Sequence, residues 1–149
     1  MKEWYISGNV PSLKNSKIMT KHGLQHSKTV SKYIREKGIR SFNSSKQLVE
    51  EYKKRPNIFK EEIKGLKEEI EKYEKPVLLE FYFVRDSRRK FDFCNATQII
   101  LDLLTAHRTI IDDNCDEILP VPYLIDNKCY RVDKAACGVY LRLNGNKKD

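Results

Sequence analysis

Asp92, Asp112 and Asp113, together with the cationic run Arg88-Arg89-Lys90, are the residues of this chain best suited to chemistry. Carboxylates supply the hard oxygen ligands that Mg²⁺ requires, and adjacent cations grip phosphate. The combination points to a metal-assisted reaction on a polyanion. Aspartate usage agrees: residues 1–85 contain no Asp, whereas residues 86–149 contain nine, so every acid of the first half is Glu. Turns also favour Asp, so composition alone divides evenly between a site and ordinary loop chemistry.

Elements must hold these residues in place. Val77–Val84 is an almost unbroken apolar run, the pattern of a central strand covered on both faces. Asp86–Lys90 then forms a loop at its carboxyl end, and Phe91–Ala106 reads as a helix. On that helix Phe93, Thr97, Ile100 and Leu104 share one face, while Asp92, Asn95, Gln98 and Asp102 share another. A helix stop at 106–108 leads through Thr109–Ile111 to the Asp pair.

Upstream, Glu3–Gly8 reads as a strand closed by Gly8, followed by a turn and the basic loop Leu13-Lys14-Asn15-Ser16-Lys17. Residues 18–45 read as irregular, with a short helix starting near Ser27 or Ser31. Asn43-Ser44-Ser45 resembles an N-cap for a helix carrying Leu48, Val49 and Tyr52. Phe59, Ile63, Leu66, Ile70 and Tyr73 fall on one seam of a single helix stopped by Pro76; that seam fits either a sheet cover or a subunit interface. Downstream, Lys128–Val132 and Gly138–Leu143 are candidate strands, and 144–149 reads as a frayed tail.

The 149 residues are 40% hydrophobic and 34% charged, the profile of one domain with its own core. No apolar run approaches the ~20 residues of a membrane span, and the start lacks a signal peptide's apolar core. Cys94, Cys115, Cys129 and Cys137 form no Cys-x-x-Cys pair, so the expectation is reduced thiols in a cytoplasm and no zinc. His22 and His26 read as surface residues. Net charge is +8, and it is uneven: residues 1–75 carry 18 Lys and Arg against 10 Glu, while 76–149 carry 11 of each sign. A basic half joined to an acid-bearing half suits nucleic-acid binding, although a lysine-rich solvated surface would have the same composition.

Three segments in order resemble the RusA-like Holliday junction resolvases, small endonucleases mostly of phages and prophages. Asp92-Phe93-Cys94-Asn95-Ala96-Thr97-Gln98 is similar to the family's Asp-x-Asp-Asn-x-x-Lys helix opening. Leu101-Asp102-Leu103-Leu104 and Asp112-Asp113 follow, with 21 positions from first Asp to last. Ile6-Ser7-Gly8-Asn9-Val10-Pro11-Ser12-Leu13-Lys14-Asn15 resembles the opening strand and its Pro-x-x-Lys-Asn loop, and Gly138-Val139-Tyr140-Leu141 the closing strand. Residues 16–75 depart from the pattern and read as a helical insertion.

The resemblance implies an α/β (α+β) domain spanning 1–149, with a small mixed sheet, packed helices and a homodimeric assembly. It implies Mg²⁺- or Mn²⁺-dependent cleavage of branched DNA in recombination, repair or phage DNA processing, inside a bacterial cytoplasm. Asp92 and Asp113 would hold the metal, with Asp112 as a further catalytic carboxylate and Asn95 in support. Arg88, Arg89, Lys90, Lys14 and Asn15 would contact DNA. Two positions depart: Cys94 stands where the family has its second aspartate, and Gln98 where it has a lysine. Those departures define the rival expectation, a degenerate member that binds DNA without cutting; a phage structural or interaction protein is a third. Asp102 lies ten residues beyond Asp92, roughly 15 Å along a helix, too far to share its ion. Asp116 and Glu117 are the alternative donors beside Asp113.

Overall fold

The computed structural model describes residues 2–12, 17–20, 23–26, 28–37 and 58–149; for 17–20, 23–26, Lys28, Ser31, Arg35 and Glu36 it describes the backbone alone. The loop residues Lys14 and Asn15 and the expected helix over 43–52 lie outside the described residues.

The long apolar strand organises the molecule. β1 (Glu3–Ser7), β4 (Val77–Arg85), β5 (Ile118–Pro122), β6 (Tyr130–Val132) and β7 (Gly138–Asn144) form one mixed sheet. β7 lies between β1 and β4, antiparallel to both. The other edge of β4 is shared: β5 pairs with Val77–Phe81 and β6 with Phe83–Arg85, both parallel. β4 is thus central and buried nearly throughout, as its composition predicts. A separate hairpin, β2 (Lys17–Thr20) with β3 (Gly23–His26), occupies part of the segment expected to be irregular. Its four-residue strands are too short to show a period in sequence. α1 (Lys28–Glu36) follows directly after Ser27.

One expectation is corrected between Phe59 and Pro76. The single helix is instead α2 (Ile58–Glu62) and α3 (Leu66–Ile70), broken at Gly65, whose φ of 84° is left-handed. Three-residue hydrogen bonds, Lys64 N–H to Glu61 and Leu66 N–H to Ile63, tighten the turn between them. The apolar seam survives this break. Phe59, Ile63, Leu66 and Ile70 are all buried in the same core as β1, β4 and β7. Of the two roles open to the seam, it covers the sheet. Ile63→Asp and Ile70→Asp are therefore expected to unfold the protein by burying an unpaired charge, a loss of more than about 4 kcal/mol. Circular dichroism during urea titration would read it, and a folded variant that merely dissociates would contradict it.

The carboxyl-terminal tail is pinned, not frayed. Asn146 C=O accepts from Glu74 N–H (2.8 Å), and Lys148 N–H donates to Lys72 C=O (2.8 Å). Lys37, nearly buried, pairs with Glu62 at 2.7 Å, and Glu62 also accepts from Ser7 N–H at 2.6 Å. This network ties the ends of α1, α2 and β1 together. A pair so enclosed is costly to break because the remaining charge cannot be resolvated.

α4 (Phe93–Ala106) crosses from β4 to β5 and buries Ala96, Thr97, Ile99, Ile100, Leu101, Leu103 and Leu104, a wider face than the four-residue stripe expected. Phe93 sits edge-on to Phe81 and Phe83 at 6.2 and 6.0 Å, and Phe91 packs on Phe83 at 5.5 Å. Such ring pairs fix the start of α4 against the carboxyl half of β4. Among the described residues, no helix is long and apolar enough to cross a membrane.

Candidate functional site

Asp92 is the N-cap of α4. Its backbone is extended (φ −97°, ψ 111°), and its side chain accepts the Asn95 backbone N–H at 3.2 Å. One carboxylate oxygen thus satisfies the helix end, a purely structural use. The other is left to a cleft of about 1110 Å³ at the carboxyl end of β4, which Asp92 lines with Arg85, Arg89, Lys90, Lys134 and Ser12. The amino-terminal turn meets the loop after β4 here, where Asn9 accepts the Asp86 N–H at 3.2 Å. Arg88 is exposed beside the cleft without lining it.

Asp113 lies on the loop after α4, against a later turn of the same helix. After α4, Arg108 reverses the chain with φ 56°, and buried Ile110 and Ile118 anchor a loop running back along the helix. Gln98 then donates from one amide nitrogen to Asp113 (2.6 Å) and to Asp102 (2.8 Å). The two carboxylate oxygens are no farther apart than those two bonds allow. Asp102 therefore companions Asp113, a relation that only its four-residue spacing from Gln98 foreshadows. Gln98 is six residues beyond Asp92, about 9 Å along the axis.

Asp112 turns inward on its own loop. It accepts the Asp113 N–H (2.8 Å) and the Asn114 amide (3.1 Å), and these bonds hold its carboxyl below the usual range. Its role in this geometry is to orient Asp113. Glu117 pairs with Lys75, and the Asp116 backbone N–H donates to the Asn114 side chain at 3.0 Å. Cys94 is exposed, one turn before Gln98 on α4. All four cysteines are free.

Among the described residues no three acidic, histidine or cysteine side chains converge as a ready metal cage. Magnesium does not need one: it commonly takes one or two carboxylates and completes its shell with water and substrate phosphate. Asp102 and Asp113, brought together by the Gln98 amide, are a carboxylate pair of that kind, whereas Asp92 stands about 9 Å from Gln98 along the helix axis.

No protein-family model matches the chain, and no curated protein sequence matches it.

The residue that sequence reasoning missed is Arg85. It closes β4 in step with Phe81 and Phe83, so its side chain lies on the helix-covered face at the rim of the cleft. The available signal was a cation continuing the Phe81, Phe83 alternation at the end of a mostly apolar strand.

Proposed function

We propose that this protein is a RusA-like, metal-dependent endonuclease acting on branched DNA, in recombination, repair or phage DNA processing. The observation that carries the reading is the joining of a cation-lined cleft to a carboxylate at one point, the Asp92 cap of α4. Asp113 folded back against the same helix supports it. Cations position a phosphate backbone, and α4 directs its amino terminus to the same place.

Asp113, with Asp102 beside it, would hold Mg²⁺ or Mn²⁺, and Asp92 would add a second carboxylate at the cleft. The ion would supply charge neutralisation at the scissile phosphate and a water of lowered pKa. The remaining work falls to the chain's own groups. Arg89, Lys90 and Lys134 orient the backbone in the cleft, Asp112 fixes Asp113, and the Asn95 N–H fixes Asp92. Cutting a junction requires two strands to be served, so the working unit is a homodimer presenting two such sites.

Replacing Arg88, Arg89 and Lys90 with Ala tests the cleft. Junction affinity should fall at least tenfold near 100 mM salt, and the slope of log K against log salt should flatten by up to about three units. An unchanged slope in fluorescence anisotropy would move the contact surface elsewhere.

One observation favours a second reading, a binding-only protein. Gln98 is neutral where the family has a cation, and it ties up one oxygen each of Asp102 and Asp113. With Cys94 adding no carboxylate, the site holds fewer metal-directed charges than its family counterpart.

A further inference from the structure

Arg85 is 8% exposed, and its Nε has no hydrogen-bond partner among the described residues. Among the described residues, the guanidinium lies 4.3 Å from the centroid of Phe91, and one terminal nitrogen reaches the Arg89 C=O at a long 3.4 Å. No carboxylate among the described residues forms an ion pair with it; Asp86, its chain neighbour, acts on it only at longer range. A guanidinium whose Nε is buried and unpaired carries a desolvation cost that these contacts offset only in part. Such a group is retained where it meets a ligand, and this one opens onto the cleft lined by Arg89, Lys90 and Lys134.

We propose that Arg85 is the floor of an anion subsite in that cleft, taking the non-bridging oxygens of one phosphodiester through its unengaged donors. Phe91 holds the guanidinium plane, so the fork is set before the ligand arrives. Asp92 stands on the rim of the same cleft, which puts the gripped phosphate beside the carboxylate. The inference rests on the nucleic-acid reading above, yet its chemistry would also accept inorganic phosphate.

The test compares wild type, Arg85→Met and Arg85→Lys by thermal unfolding, with and without inorganic phosphate, and by anisotropy on a labelled four-way junction across a salt series. Arg85→Met should melt at or above the wild-type midpoint, bind the junction at least tenfold more weakly, and lose about one unit of salt slope. Arg85→Lys keeps the charge without the fork, so it should fold and bind between the two. Phosphate should raise the wild-type midpoint and leave that of Arg85→Met unmoved. The subsite is overturned if Arg85→Met fails to fold or melts lower with affinity intact, or if Arg85→Lys binds like wild type. It is also overturned if wild type and Arg85→Met bind the junction equally, an outcome that leaves the nucleic-acid reading standing. A wild type that ignores DNA but is stabilised by phosphate through Arg85 keeps the subsite and removes the DNA reading.

Discussion

Asp113→Asn should reduce junction cleavage by at least about a hundredfold while leaving the protein folded. A metal-held phosphate draws several kcal/mol of transition-state stabilisation from the ion, and each 1.36 kcal/mol is tenfold in rate. The substitution is nearly isosteric, and the Asn oxygen can still accept from Gln98, so the loop keeps its anchor. What disappears is one negative charge. Metal affinity falls, and repulsion toward DNA phosphate falls with it, so junction binding should be unchanged or tighter. Asp92→Asn should act in the same direction, since Asn caps a helix as well as Asp. Single-turnover cleavage with parallel anisotropy separates the two effects. Equal loss of binding and cleavage would place Asp113 in DNA recognition instead.

Cys94→Asp is expected to raise cleavage, by tenfold or more where the wild type is slow. Position 94 precedes Gln98 by four residues, and such pairs have Cβ atoms about 5–6 Å apart on a helix. Because Gln98 contacts Asp113, a carboxylate at 94 enters the same patch as Asp102 and Asp113. An added hard donor tightens Mg²⁺, where a thiol is a poor ligand. Adding Gln98→Lys supplies a cation between the carboxylates, which competes with metal but restores a phosphate partner. The double variant should therefore gain more at high Mg²⁺ than at low. Full-rate cleavage by the wild type would show that the site is already complete without position 94.

The elements carrying the cleft were legible because each announces itself locally. β4 is a long apolar run, α4 has helical spacing, and the intervening loop is basic and polar; that Asp92 caps α4 instead of lying within it was not legible. β5 was missed because Pro120 and Pro122 interrupt its pattern. The structure explains their tolerance: Tyr123 N–H bonds Phe81 C=O, so the odd-numbered residues face β4 and both prolines face the open edge. The split at Gly65 was hidden because the apolar seam keeps its spacing across a three-residue turn. The Asp102–Gln98–Asp113 contact needed the loop's return path, and that path depends on Arg108 adopting a left-handed conformation. Arg85 needed burial, which one sequence does not display.

Cleavage of a synthetic four-way junction in Mg²⁺ or Mn²⁺, followed strand by strand, tests the central claim most directly. The endonuclease reading predicts metal-dependent, paired incisions near the branch point that are lost in Asp113→Asn and in chelator, with linear duplex cut far less. Tight junction binding with no incision by wild type, by Cys94→Asp or by the double variant, in either metal, would contradict it.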